Sequence, residues 1–242
     1  MTTEIKIILI VTGILLLLLT IVLSSRSRIR RVYRRYLKVG NSVGLTGSQF
    51  ASTAIDQLDL NITLGVTDGE LADAYSPKQN MLIMSRQVCD TASLASLTIT
   101  AHELGHAMQQ QKNDTMFGLS QIWRRINRFT SKFFTPLLIA SFIVLFFNMS
   151  TALTLLWIAI GVFIFNFLEK IITIPVEYNA SKRALWYLKE YHYVSNTELH
   201  KAKKLLGIAA QTYIASLFDG LIIFGNKLNA LFSKGGKKKR RR

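Results

Sequence analysis

The sequence predicts a mainly α-helical membrane protein with a small β element, an N-terminal anchor and an inserted transmembrane hairpin. Two observations lead to this fold class: long apolar runs without charged residues, and clusters of positive charge at the ends of those runs. The chain has 242 residues, of which 50% are hydrophobic, and a formal net charge of +16. This length allows a domain with a sizeable core. The single cysteine, Cys89, excludes an internal disulfide framework and a cysteine-based zinc ribbon.

The first apolar run, from Ile7 to Leu23, contains no charged residue. As a helix it spans roughly 25 Å, close to the hydrocarbon core of a bilayer. A cleaved signal peptide is the alternative. No small-residue cleavage site follows the run, and the positive charges come after it, which is the reverse of a signal peptide. We therefore predict an uncleaved transmembrane anchor over residues 1–24.

A second uncharged run extends from Phe133 to Leu168 and is interrupted by the polar residues Asn148–Thr151. Each half is just long enough to span a bilayer, so a transmembrane hairpin over residues 133–168 fits best. A single long buried helix is the alternative, and the polar interruption argues against it.

The last apolar stretch, over residues 205–232, predicts a helix that either crosses the membrane or lies in its interface. In its most apolar part, Leu205 to Phe224, Gln211, Asp219 and two glycines weaken it as a span, because an intramembrane aspartate is costly unless it faces protein. A basic tail over residues 233–242 ends in six consecutive cations. A crossing by the last stretch would place this tail outside the cell, which the positive-inside rule disfavours.

Positive charge borders the apolar runs rather than covering a soluble surface. The main clusters are Arg26, Arg28, Arg30, Arg31, Arg34, Arg35 and Lys38; Arg124, Arg125, Arg128 and Lys132; and Lys182, Arg183, Lys201, Lys203 and Lys204. Residues 40–120 carry three cations against eight acids, a net charge of −5. The basicity therefore predicts contact with anionic lipid and excludes nucleic-acid binding. It also predicts a multi-pass protein of the cell membrane with these clusters in the cytoplasm and the N-terminus and Asn148 turn outside.

The cytoplasmic region over residues 25–132 contains the predicted β element. Thr46 caps a helix with apolar residues at helical spacing, and Asn61–Val66 and Met81–Ser85 are predicted strands separated by turns. Asp90-Thr91 then caps a long helix that continues to about Gln111.

That long helix carries the pattern His102-Glu103-Leu104-Gly105-His106. Two histidines four residues apart project from one helical face, so both imidazoles can reach one Zn²⁺ ion. A glutamate directly after the first histidine is placed to act as general base toward a zinc-activated water. The pattern predicts His102 and His106 as metal ligands and Glu103 as the catalytic base of a zincin-like metalloprotease domain. Two surface histidines on an amphipathic helix are the alternative.

A catalytic zinc site needs a third protein ligand. The chemistry of the remaining residues favours Glu177, two residues past Pro175, at the start of a helix predicted to run to about Tyr191 within the segment 169–204. An acid in a first helical turn can equally be there to offset the helix dipole. His192 and His200 therefore remain alternative ligands.

Four segments give the chain its resemblance to the YugP-type neutral zinc metallopeptidases, a family of bacterial membrane proteins. They are Val43–Gly47, Leu71–Ser85, Ala101–Gln109 and Pro175–Leu185. The resemblance covers most of the chain, and it implies a zinc cofactor with Glu177 as the third ligand. The arrangement is also similar to the gluzincin HtpX-type membrane proteases, in which a transmembrane hairpin separates the zinc helix from the glutamate helix.

The chain departs from the family pattern at three positions. Ala74 and Ser76 stand where the family usually has histidine and aspartate, and Asn179 stands where it usually has aspartate. None of these is a predicted ligand or the base. They bear instead on substrate binding or on the groups that support the ligands.

Two parts of the mechanism stay open in the sequence. Tyr75, Tyr178, Tyr213 and His192 are all candidates for stabilising the oxyanion. The edge of the strand Met81–Ser85 is a candidate for binding an extended peptide by strand addition.

Together these observations predict a membrane-embedded zinc metalloendopeptidase whose active site faces the cytoplasm and whose substrates are membrane or membrane-adjacent polypeptides. The alternative is a non-catalytic membrane scaffold that retains a structural zinc, although such a site has no need of Glu103. A channel or transporter component is disfavoured because the predicted hairpin lacks ionisable groups. The sequence does not predict an oligomeric state.

Overall fold

The computed structural model describes residues 27–216, and side chains as far as residue 213. The predicted anchor over residues 1–24 and the basic tail over residues 233–242 therefore lie outside the described residues. The chain divides into two compact units. The core unit contains Ser25–Gln121 and Ile172–Tyr213, and the hairpin unit contains Ile122–Ile171.

The described residues are mainly helical, with one small sheet, as the sequence predicts. The helices are α1 (residues 27–37), α2 (Gly47–Gln57), α3 (Arg86–Asp90), α4 (Leu94–Gln111), α5 (Thr115–Val144), α6 (Met149–Glu190) and α7 (Asn196–Ser216). The strands are β1 (Thr63–Thr67), β2 (Ala74–Ser76) and β3 (Met81–Ser85). Thr46 caps α2 as predicted, with its hydroxyl accepting from the backbone N–H of Gln49.

The sheet has the order β1-β3-β2, with β1 parallel and β2 antiparallel to β3. The predicted strand Met81–Ser85 is confirmed, whereas the strand predicted at Asn61–Val66 begins two residues later. Because β3 is paired on both sides, the hypothesis that its edge binds a peptide is wrong. Strand β2, which the sequence analysis assigned partly to a turn, provides an edge instead. Its three residues are too few to show an alternating pattern before Pro77.

Helix α4 begins later than predicted. Asp90 ends the short helix α3, and Ser93 is the N-cap of α4, where its hydroxyl accepts from the N–H of Ser96 at 3.0 Å. The Asp90-Thr91 cap is therefore wrong, because the chain makes a separate short turn of helix before α4. Most of α4 is buried, including both of its histidines.

Helix α6 contains Glu177 well inside its length rather than at its start. Pro175 lies in the helix interior, so the predicted start after this proline is wrong. A proline removes one helical hydrogen bond and crowds the preceding turn, at a cost of about 3 kcal/mol. Helix α6 has 42 residues, and it packs on α4 with Glu177 buried. This packing offsets the free-energy cost of the proline.

The hydrophobic core of the core unit gathers side chains from α1, α2, β3, α4, α6 and α7. At its centre Phe50 of α2 lies edge-on to Tyr193, with ring centroids 4.8 Å apart. Leu205 and Leu206 of α7 also belong to this core. The first residues of the stretch 205–232 therefore pack inside the core unit, and the part from residue 217 onward lies outside the described residues.

Glu198 ties the start of α7 to the loop before α2. Its carboxylate accepts from the backbone N–H and hydroxyl of both Ser42 and Ser195, at 2.7–2.8 Å. Burial alone would raise the pKa of Glu198, but these hydrogen bonds outweigh burial and lower it.

The hairpin unit pairs the second part of α5 with the first part of α6. Asn127 donates to Glu169 at 2.9 Å, Thr130 donates to Asn166 at 3.2 Å, and the ring centroids of Phe134 and Phe163 lie 5.7 Å apart. The partner number falls as the number along α5 rises, so the two helices run antiparallel. The turn at residues 145–148 overlaps the predicted interruption, Asn148–Thr151, at Asn148, and α6 already begins at Met149. Among the described residues, one helix, α6, has the length and apolar composition needed to cross a membrane.

Candidate metal centre

Helix α4 places His102 and His106 on one face, as their spacing predicts. Their ring centroids are 5.0 Å apart, the rings are nearly perpendicular, and both side chains are buried. Phe117, near the start of α5, stacks on the His106 ring with centroids 5.9 Å apart. This packing restricts the orientation of the His106 ring.

Helix α6 reaches this face because Gly105 allows it to approach closely. A Cβ atom at Gly105 would lie 2.5 Å from the carbonyl oxygen of Ala180, which is well inside van der Waals contact. Glycine therefore permits backbone contact between α4 and α6 at this point. Glu177 lies one helical turn before Ala180, and the contact brings its carboxylate beside the two histidines.

The three side chains converge on one point. One carboxylate oxygen of Glu177, Oε2, lies 3.3 Å from the Nε2 atom of His102 and 3.3 Å from the Nε2 atom of His106. The ligand atoms of the three residues all lie within 4.8 Å of one another, and all three residues are buried. His192 and His200, the alternative third ligands, are exposed and are not part of this group.

The donor set fits a zinc ion. Zinc binds imidazole nitrogen and carboxylate oxygen at about 2.0–2.2 Å, so two ligands at tetrahedral corners are about 3.3–3.5 Å apart. The two Nε2–Oε2 distances of 3.3 Å match this spacing. Two histidines and one carboxylate leave room for a fourth ligand, which is the ligand composition of a catalytic zinc site rather than of a closed structural one.

The outer nitrogens of both histidines have partners. The Nδ1 atom of His102 lies 3.2 Å from the hydroxyl of Ser181, and the Nδ1 atom of His106 lies 2.9 Å from Oε1 of Gln109. These contacts leave both Nε2 atoms facing Glu177. Burial opposes ionisation of Glu177, but its close contacts with the two histidines hold its pKa well below the usual range.

Glu103 lies next to this centre and is held by strand β2. Its carboxylate accepts the backbone N–H of Tyr75 at 2.8 Å. Burial raises the pKa of Glu103 to about 7, with the charge of His102 opposing and the charge of Glu177 reinforcing the shift. A carboxyl group with a pKa near neutrality suits a group that takes up and releases protons at neutral pH.

The four candidates for stabilising the oxyanion lie in different places. Tyr75 has a direct contact with Glu103 through its backbone, and its hydroxyl donates to Gln110 at 3.0 Å. Tyr178 is 62% exposed, His192 is exposed after α6, and Tyr213 lies on α7. Of these contacts, the Tyr75–Glu103 hydrogen bond is the one that places a candidate at the centre.

The three departures from the family pattern lie around the centre. Ala74 and Ser76 flank Tyr75 on β2, and Asn179 accepts hydrogen bonds from Gln109 and Arg183. The sequence analysis did not single out Gln109 or Ser181, which contact the histidines. The available signal was their spacing: Gln109 is three residues after His106, and Ser181 is four residues after Glu177.

Comparison with known proteins gives two matches. The sequence model of a family described as "Putative neutral zinc metallopeptidase" matches residues 9–228. The chain is 29% identical to "Putative membrane protease YugP" of Bacillus subtilis (strain 168) over 195 residues, which is 80% of this chain and 84% of that protein. No solved structure matches.

Proposed function

The chain belongs to the neutral zinc metallopeptidase family, and from the geometry of its buried His-His-Glu group we propose that it is a membrane-embedded zinc metalloendopeptidase. The observation that carries this proposal is the convergence of His102, His106 and Glu177 at zinc spacing beside Glu103. His102, His106 and Glu177 bind the ion. When bound, zinc supplies a Lewis acid that polarises the peptide carbonyl and acidifies water.

Glu103 acts as the general base. The hydrogen bond from the Tyr75 N–H fixes one carboxylate oxygen, Oε2, and holds the group at the centre. The other oxygen is then free to accept a proton from the attacking water and to pass it to the leaving amine. A pKa near 7 lets the group work in both directions at neutral pH.

The peptide substrate adds to the edge of strand β2. Tyr75 lies opposite Leu82 in the antiparallel ladder, yet its N–H points to Glu103, so this side of β2 faces the centre and not β3. Because the Tyr75 N–H is already bonded to Glu103, an extended peptide on this side bonds to the backbone carbonyl of Tyr75 and then passes the metal ligands. This placement replaces the edge of Met81–Ser85 as the proposed binding site.

The hairpin unit supports a membrane location. Phe146, Phe147 and Trp157 are 86%, 85% and 67% exposed, and large apolar side chains recur along both of its helices. An exposed apolar surface of this kind is stable in lipid and a liability in water. We place the hairpin in the bilayer with the basic clusters at the cytoplasmic, anionic-lipid side. The substrates are therefore membrane or membrane-adjacent polypeptides.

The test compares wild type with Glu103→Gln, both purified in detergent, for cleavage of casein with and without a zinc chelator. Glu103→Gln keeps the ligands, so it should retain one equivalent of zinc while cleavage falls by at least about 100-fold, as expected on loss of a general base. Glu190→Gln is the matched control, since Glu190 is exposed at the end of α6. This variant should cleave like wild type.

A non-catalytic scaffold with a structural zinc predicts a different result. Zinc would be bound, but cleavage would be absent from wild type and Glu103→Gln alike, across casein and membrane-protein substrates. The group formed by His102, His106 and Glu177 offers three candidate ligands, which argues against the scaffold because a structural zinc site ordinarily has four.

A further inference from the structure

Gln109 is a fully buried polar side chain that joins the second histidine to helix α6. Its Oε1 atom lies 2.9 Å from Nδ1 of His106, and its Nε2 atom donates to the backbone carbonyl of Val176 at 2.9 Å and to Oδ1 of Asn179 at 3.1 Å. The side chain is 0% exposed. A buried amide that satisfies both of its ends in this way has one orientation.

The orientation of this amide is fixed by a group that can only accept. A backbone carbonyl has no proton to donate, so the Gln109 atom facing Val176 must be the NH₂ group. The Gln109 atom facing His106 must then be the oxygen, which can only accept. His106 therefore carries a proton on Nδ1, so in the neutral ring it is the Nε2 atom that has the lone pair a metal ion needs.

Asn179 is fixed from the opposite direction. Arg183 can only donate, and its Nε atom lies 2.7 Å from Oδ1 of Asn179. The same oxygen accepts from Gln109, and the guanidinium in turn contacts Asp114 at 3.5 Å. The donor and the acceptor are thus determined for each hydrogen bond in the series from Arg183 through Asn179 and Gln109 to His106.

We propose that Gln109 is a positioning residue that sets the tautomer and ring orientation of His106 for metal binding, and that Asn179 and Arg183 hold Gln109 in this role. The proposal rests on the proposed function, in which His106 is a zinc ligand. It also explains why asparagine can stand at position 179, because the hydrogen bonds from Gln109 and Arg183 require an oxygen acceptor there and not a negative charge. The amide of asparagine and the carboxylate of aspartate both supply that acceptor.

The experiment measures the affinity of the purified full-length protein for Zn²⁺ alone, by competition with a chromophoric chelator. Gln109→Leu removes the acceptor at nearly constant volume and should weaken zinc binding by about 10–100-fold, the usual effect of losing a ligand's supporting hydrogen bond. Gln111→Leu is the matched control, since the Gln111 amide donates to the carbonyls of Leu58 and Asp59. Equal weakening in both variants would overturn the proposal.

A pair of variants at position 179 separates positioning from general loss of structure. Asn179→Asp keeps the acceptor and should bind zinc within about 3-fold of wild type, whereas Asn179→Leu should lose affinity in the same direction as Gln109→Leu. The absorption spectrum of bound Co²⁺ should change in Gln109→Leu and Asn179→Leu and stay like wild type in Asn179→Asp. Wild-type affinity and spectrum in Gln109→Leu, or matching behaviour of the two Asn179 variants, would overturn the proposal.

The variant His106→Ala distinguishes failure of this inference from failure of the proposed function. If His106→Ala binds zinc as tightly as wild type, His106 is not a ligand, and both fail. If His106→Ala loses zinc while Gln109→Leu binds like wild type, the metal centre stands and the positioning role of Gln109 alone is refuted.

Discussion

Gly105→Ala tests whether the metal centre depends on the close contact between α4 and α6. The added Cβ would lie 2.5 Å from the carbonyl oxygen of Ala180, whereas ordinary contact begins near 3.4 Å. Relief of the overlap requires the two helices to move apart by about 0.9 Å at this point, and ligand distances at a zinc site tolerate about 0.2 Å. Glu177, one turn away, would then no longer lie at zinc spacing from both histidines.

Two opposing effects set the stability of this variant. Alanine is favoured over glycine inside a helix by about 1 kcal/mol, but overpacking a buried contact costs about 1–3 kcal/mol. Gly118→Ala and Gly207→Ala provide matched controls, since nothing lies within 4 Å of an added Cβ at either position. The controls should gain stability, and Gly105→Ala should be about 1–3 kcal/mol less stable than they are.

The assay is zinc affinity together with thermal unfolding in detergent. Gly105→Ala should bind zinc at least about 10-fold more weakly than wild type, while the two controls should bind it normally. If Gly105→Ala retained wild-type zinc affinity and shifted the unfolding temperature as the controls do, the argument that this glycine sets the helix contact would be refuted.

Three further predictions concern other parts of the chain. Glu198→Gln should lose about 1–3 kcal/mol of unfolding free energy at pH 7. The pKa of Glu198 is lower in the folded protein than in the unfolded chain, where it is about 4.5. The carboxylate therefore stabilises the fold fully above the unfolded pKa, and this stabilisation is lost as the pH falls through the folded pKa. The difference in unfolding free energy between variant and wild type, measured with a denaturant, should therefore become smaller in acid. Tyr75→Pro removes the N–H whose hydrogen bond Glu103 accepts, whereas Tyr75→Ala keeps that N–H. The value of kcat/KM for casein should be about 10-fold lower in Tyr75→Pro than in Tyr75→Ala. Equal values in the two variants would show that the hydrogen bond is not needed. Asn148→Cys, in a background without the native cysteine, should react in whole cells with a membrane-impermeant maleimide, whereas Asn196→Cys should not, and protection of residue 148 would contradict a hairpin that crosses the bilayer.

The parts of the fold that the sequence predicted well depend on local patterns. The strand Met81–Ser85, the helix capped by Thr46 and the turn between the hairpin helices are each determined by neighbouring residues. Strand β2 escaped prediction because its three residues pair with β3 and contact Glu103, and neither relation is visible in its own composition. The continuity of α6 through Pro175 escaped for a related reason. The cost of a proline in a helix can be estimated from the local sequence, but the tertiary packing that offsets this cost depends on residues far away in the sequence.

The same distinction between local patterns and tertiary contacts explains which residues of the candidate site could be predicted from the sequence. The spacing of His102 and His106 identifies two candidate ligands, because residues four apart on a helix lie on one face. The proposed third ligand, Glu177, lies 75 residues from His102. Residue chemistry favoured it, but it left His192 and His200 as alternatives. In hindsight Gly105, between the histidines, was the physical signal, since a glycine inside a buried helix marks a place where another backbone comes close. The partner of that glycine is Ala180, one turn after Glu177. His192, on the connection after α6, and His200, on α7, are exposed and lie outside the His-His-Glu group.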